Sequence, residues 1–172
     1  MMNKQYLTVT LFAMMALAGM ATTSAGEIAE GKPAPDFSLP DIRSESGDMI
    51  TLSDFRGDVV YVDFWASWCL PCLRSLPEIN ELYSEYRDRG FEVIAITIDH
   101  PIEDAFEFLD DLDEPIAYLI AGDEDADVMD RYRVRGMPTS FLINREGIVT
   151  KIHEGYREGD IELLERELQA LL

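Results

Sequence analysis

The chain contains two cysteines, Cys69 and Cys72, and both fall in the run Trp65-Ala66-Ser67-Trp68-Cys69-Leu70-Pro71-Cys72, directly after an apolar stretch that begins at Val59. Two thiols separated by two residues, where a strand hands over to a helix, suit reversible oxidation. The free N–H groups and dipole of a helix N-terminus favour thiolate over thiol at the first sulfur, and the thiolate is the species that attacks disulfides. Competing roles fit the spacing less well. A structural staple here would close a loop worth only about 2 kcal/mol. A zinc site would need two more ligands, and His100 and His153 lack the H-x3–5-H spacing. Two inert core cysteines would have no reason to flank Leu70-Pro71 beside two tryptophans.

Two further features bear on the dithiol. Asp63 lies six residues before Cys69, inside a segment that is otherwise apolar on both alternating sets. A buried carboxylate costs several kcal/mol unless it is neutral, paired or hydrogen-bonded. Placed behind the second sulfur with a raised pKa, Asp63 would take the proton of Cys72 when that thiol attacks and return it in reverse. An Asp satisfied by backbone N–H groups is the plainer alternative. The second feature is Gly136-Met137-Pro138-Thr139, just before an apolar strand pattern. Proline cannot donate to a sheet ladder and so belongs at a strand's first residue or edge. A cis bond here would turn the preceding backbone outward toward an extended substrate, whereas a trans bond would make it a plain strand start.

The elements that must position these residues follow from periodicity. Asp36 to Leu39 and Met49 to Leu52 flank a polar Ser44–Asp48 turn and form a predicted hairpin. Val59 to Trp65 and Phe91 to Ile98 are continuous apolar runs, the pattern of strands buried on both faces. Leu73, Leu76, Ile79, Leu82, Tyr83 and Tyr86 recur at helical spacing until Arg89-Gly90, with a kink expected at Pro77. An acidic helix through Ala105, Phe106 and Leu109, a strand at Ile116 to Ile120 and a short helix at Glu124 to Arg131 follow. Thr139 to Ile143 and Ile148 to Ile152 read as a hairpin joined by Asn144-Arg145-Glu146-Gly147, and Ile161, Leu164, Leu168 and Leu171 mark a final helix. Strands alternating with helices imply an α/β fold with a mixed sheet covered on both sides.

Composition limits the setting. The 172 residues suit one domain plus a short extension. Met1 to Gln5 carries one positive charge at Lys4, Tyr6 to Met20 is apolar or small, and Thr22-Thr23-Ser24-Ala25 follows, the order of a secretory signal peptide. Residues 1–25 are therefore assigned as the leader, with Ala21 as a second cleavage point, and residues 26–172 as the domain. An uncleaved anchor is the alternative, although the apolar run is shorter than the ~20 residues of a spanning helix. The net charge of −20 becomes −21 once the leader and its Lys4 are gone, which makes nucleic acid and anionic membrane surfaces poor partners. It suggests a salty exterior or a basic partner.

Val62-Asp63-Phe64-Trp65-Ala66-Ser67-Trp68-Cys69-Leu70-Pro71-Cys72, Pro77, and Val134-Arg135-Gly136-Met137-Pro138-Thr139 together resemble the thioredoxin superfamily. The early hairpin, the leader and Phe141-Leu142-Ile143-Asn144-Arg145-Glu146-Gly147 make the chain similar to its exported TlpA, ResA and CcmG (DsbE) branch. The resemblance spans most of Pro33 to Leu172. It implies a thioredoxin fold: a central mixed β-sheet flanked by helices, with an N-terminal β-hairpin extension. It also implies that Pro138 is cis and lies against the dithiol. By the same resemblance Cys69 is the exposed attacking thiolate, Cys72 the buried resolving thiol and Asp63 the buried acid. Trp68, Pro71, Met137, Pro138 and Thr139 form the substrate-binding set. Two positions depart from the pattern: Ser75 stands where many exported members have glutamate, and Ala95 where thioredoxin has a lysine near its acid.

The function so implied is that of an exported, periplasmic thiol-disulfide oxidoreductase. It would reduce protein disulfides, apocytochrome cysteines in cytochrome c maturation among them. No cofactor beyond the Cys69–Cys72 couple is expected, and a membrane electron donor of the DsbD/CcdA type would recharge it. A dithiol oxidant is the nearest alternative. A peroxiredoxin-like peroxidase shares the fold, but Ala66-Ser67-Trp68 supplies no proline in the pattern that precedes a peroxidatic cysteine. A copper-chaperone-like protein would use a wider cysteine spacing with a histidine.

Overall fold

The protein is represented by a computed structural model that describes residues 28–172. The predicted leader, residues 1–25, lies outside the described residues. Seven strands and four helices follow in the order β1 (Ser38–Pro40), β2 (Met49–Thr51), β3 (Val59–Trp65), α1 (Cys72–Tyr86), β4 (Phe91–Thr97), α2 (Glu103–Asp110), β5 (Leu119–Gly122), α3 (Asp127–Arg131), β6 (Thr139–Ile143), β7 (Val149–Glu154) and α4 (Asp160–Gln169). β1 and β2 pair antiparallel as a separate hairpin. The other five form one sheet in the order β5-β4-β3-β6-β7, in which β5, β4 and β3 are parallel and β6 and β7 run antiparallel to their neighbours.

All seven residues of β3 are buried, as a central strand covered on both faces requires. Alternation then sorts its side chains. Tyr61 and Trp65 join Leu76, Ile79 and Leu82 of α1, Ala105 of α2, and Leu164 and Leu168 of α4 in one core. Val60, Val62 and Phe64 join Leu39 and Ile50 of the hairpin, Val128 of α3, and Phe141 in the other. Asp63 takes the α1 face by the same alternation. The mixed sheet with covering elements on both sides agrees with the fold expected, and the hairpin is the cover for part of the second face.

Several element boundaries differ from the periodicity reading, those of β1, β2 and β7 by only one or two residues. The fifth strand begins at Leu119, not Ile116, because Ile116 to Tyr118 is held by side chains and not by a ladder. Asn80 accepts the Ala117 N–H at 2.8 Å and donates to the Pro115 carbonyl at 3.2 Å, and the Arg43 guanidinium donates to the carbonyls of Ile116 and Tyr118. The helix expected from Glu124 starts at Asp127. There the Asp123 carboxylate accepts the N–H groups of Val128 and Met129, and Ala126 at φ 57° makes the turn between them. β4 ends at Thr97, whose hydroxyl turns to Asp99. α1 runs through Pro77 as one helix of 15 residues.

Candidate active site

Every residue of the motif run emerges at one end of the sheet. β3 ends at Trp65, and Ala66 to Pro71 carry the chain to the first residue of α1, Cys72. Cys69 and Cys72 form a disulfide with a Cα–Cα distance of 5.3 Å. Cys69 keeps 4% exposure and Cys72 none, so in the oxidised form the expected contrast between an exposed and a buried sulfur is narrow. Trp68, Leu70 and Leu73, at 64%, 76% and 49% exposure, leave apolar surface beside the disulfide, and Pro71 is exposed among them. Exposed apolar groups clustered at a reactive centre mark a protein-contact surface.

The cross-strand register brings the second motif to the same place. Thr139 pairs with Phe64, so Pro138 sits beside the last turn of chain before the dithiol segment. The Met137–Pro138 bond is cis. The Pro138 carbonyl accepts the Gly155 N–H at 2.8 Å, and the Thr139 hydroxyl donates to the Gly136 carbonyl at 2.6 Å, which fixes the turn on both sides of Met137. The Met137 N–H and C=O take part in no backbone hydrogen bond among the described residues. They are the groups a substrate strand would pair with.

Asp63 is buried on the face of the sheet that α1 and its Cys72 cover. Its Oδ2 has no hydrogen-bond partner, and burial pushes the carboxyl up to about 8. Ala95 stands directly opposite on β4, so no cation is supplied from that side. The plainer reading, an Asp satisfied by backbone N–H groups, does not hold for that oxygen. Two other buried polar atoms lack partners, Trp65 Nε1 and Ser75 Oγ, and Ser75 lies one turn along α1 from Cys72. A carboxyl whose pKa is raised toward that of a thiol can, in its ionised form, accept the proton of a buried thiol and return it in reverse.

Sequence reasoning missed the clamp that holds the dithiol segment. Asp99, buried just past β4, accepts the Ser67 N–H at 2.9 Å, the Ser67 hydroxyl at 2.8 Å and the Thr97 hydroxyl at 2.7 Å. The only sequence signal was an acidic residue placed immediately after an apolar strand, beside a polar Thr. Among the described residues no group of three or more His, Cys, Asp or Glu side chains is placed to hold a metal ion.

The model of the AhpC/TSA family matches residues 30–152. The chain belongs to this family. Within the family the match sharpens: the chain is 35% identical over 149 residues to thiol-disulfide oxidoreductase ResA of Geobacillus kaustophilus, covering 87% of this chain and 82% of the relative. It is 34% identical over 128 residues to ResA of Bacillus subtilis, covering 74% and 69%. Among solved structures, thiol:disulfide interchange protein DsbE from Chlorobium tepidum superimposes with a TM-score of 0.78 at 42% identity, covering 84% of this chain and 98% of that one. The thioredoxin fold and the activity of a thiol-disulfide oxidoreductase are therefore this family member's fold and activity, and protein dithiols or disulfides are its substrates.

Proposed function

We propose that this oxidoreductase works outside the cytosol as a reductase of protein disulfides. Cys69 as thiolate attacks a substrate disulfide; that S–S bond breaks, one substrate thiolate leaves, and a mixed disulfide forms on Cys69. Cys72 gives its proton to the Asp63 carboxylate and attacks the Cys69 sulfur. The Cys69–Cys72 bond forms, the second substrate thiolate leaves, and two electrons have passed to the substrate. Trp68, Pro71 and Thr139 shape the cleft, and the Met137 backbone beside Pro138 holds the substrate strand. Export by the residue 1–25 leader, recharging by a DsbD/CcdA-type membrane dithiol and apocytochrome substrates complete this reading. Outside the cytosol no glutathione pool would keep the pair reduced.

The observation that carries it is a disulfide-forming pair whose inner member shares a sheet face with an unpartnered, buried carboxyl. Such an acid serves the thiol that must be deprotonated inside the protein. The deciding measurement is the Cys69–Cys72 reduction potential. A reductase should lie near the thioredoxin value of about −270 mV, and a value near the DsbA end, about −120 mV, would make it an oxidant instead.

A further inference from the structure

Asp63 belongs to a row of side chains that crosses the sheet. It stands opposite Ala95 on β4 and opposite Ser140 on β6, and Ser140 stands opposite His153 on β7. Residues directly opposite share a face, with Cβ atoms about 5 Å apart. One hydroxyl-bearing residue therefore separates the buried carboxyl from a half-buried imidazole at the sheet edge. The Ser140 Oγ is 2.5 Å from the Tyr61 hydroxyl, and the Tyr61 and His153 rings are 6.4 Å apart. His153 Nε2 lies 2.8 Å from Glu167 Oε2 on α4. Tyr61 and His153 both line a cavity of about 220 Å³ between β7 and α4, open to solvent and walled also by Glu154, Tyr156 and Asp160. Tyr156 in turn donates to Glu78 of α1 at 2.7 Å.

Ala95 offers no polar side-chain atom, and Trp65 and Cys72 are completely buried. Tyr118 is buried too, and its hydroxyl is committed to the Leu76 carbonyl at 3.2 Å. We propose that Ser140, Tyr61 and His153 form the path by which the Asp63 proton exchanges with solvent, through the cavity between β7 and α4 and not past the disulfide. The inference rests on Asp63 being the group that takes the Cys72 proton. Asp63 and Ser140 face each other in the register without a hydrogen bond between them, so a side-chain rotation that brings them into contact comes first; the carboxyl then passes its proton to Ser140 Oγ, Ser140 passes its own to Tyr61 Oη, and the Tyr61 proton goes to the His153 ring or to cavity water. Each hydroxyl ends as it began, no electrons move, and the carboxylate is restored for the next turnover. An imidazole at the mouth can take a proton on one nitrogen and release one from the other.

The test reads Asp63 itself. In the reduced protein the infrared C=O band lost in Asp63→Asn identifies the carboxyl, and its relaxation after a small pH jump gives the exchange rate. Tyr61→Phe and Ser140→Ala should each slow that relaxation about a hundredfold, the lower end of what one positioned proton-transfer group contributes. Ser140→Thr, which keeps the hydroxyl, should restore it. Unchanged relaxation in both hydroxyl-free variants overturns the path and sends the proton past Ser75 and the dithiol. The shuttle role is separable. If Asp63→Asn leaves resolution of mixed disulfides at its parent rate, the shuttle fails whatever the relaxation shows. If that variant slows resolution while the hydroxyl variants relax normally, only the path fails. Thermal melts of each variant check folding, and Ser140→Thr keeps the test decisive should Ser140→Ala not fold.

Discussion

At the scale of single residues, the assignment of roles turns on two sulfurs and one carboxyl. Cys72→Ser should trap mixed disulfides on Cys69 that survive non-reducing electrophoresis, while Cys69→Ser should trap none. Recovery of substrate through Cys72 instead would reverse the roles. Asp63 makes a prediction of definite sign. Its pKa rises from 3.8 to about 8 because burial penalises the charge, so the folded state holds a proton that the unfolded state has lost between those values. Stability therefore falls as pH rises from about 4 to about 8, by at most roughly 1.4 kcal/mol per pH unit from this group, and levels off above. Asp63→Asn should remove that slope and stabilise the protein more at pH 9 than at pH 4, as read from urea midpoints. Equal effects at both pH values would mean that Asp63 ionises freely in the folded protein.

Elements hold these residues by side-chain ties that cross between them. Asp99 fastens the Ala66–Pro71 connection to the end of β4 by three hydrogen bonds at most 2.9 Å long. Asp99→Ala leaves a half-buried Ser67 N–H without its charged acceptor. It should cost about 2 kcal/mol in chemical denaturation and slow reduction of the disulfide by a standard dithiol. An unchanged midpoint would relegate Asp99 to a bystander. The strands of the centre were legible, since Val59–Trp65 and Phe91–Thr97 are apolar on both alternating sets and only a doubly covered strand tolerates that. The start of β5 was not. Ile116-Ala117-Tyr118 is as apolar as the strand it precedes, and Asn80 and Arg43 decide against a ladder there from 35 or more residues away. The helix at Asp127 was displaced for a similar reason, because an Asp at position 123 can cap only after a left-handed turn that periodicity does not register.

For the molecule as a whole, charge is the largest unspent quantity. A net charge of −20 over 172 residues works against compactness by self-repulsion, and salt screens it. The Debye length falls from about 10 Å at 0.1 M salt to about 3 Å at 1 M. The thermal midpoint should therefore rise with sodium chloride, each kcal/mol of relief appearing as about 3 °C for a domain of this size. A midpoint that falls or stays level would mean that the acidic surface is already neutralised by local contacts. The same field should attract basic protein substrates faster at low salt than at high salt.

The sequence alone determined what is local: a reactive dithiol at a strand-to-helix junction, a carboxyl where a doubly buried strand should have none, and a proline at the mouth of another strand. Each depends on neighbours within a few residues, and the chemistry of Cys69, Cys72 and Asp63 is written in that spacing. Only the tertiary structure decided which groups face them. The register of β3 against β4, β6 and β7 sets Ala95, Ser140 and His153 in one row with Asp63, and Asp99 reaches back across 32 residues to Ser67. A strand's alternation tells which face a side chain takes, but pairing between strands far apart in sequence tells what it meets there, and no local pattern encodes that.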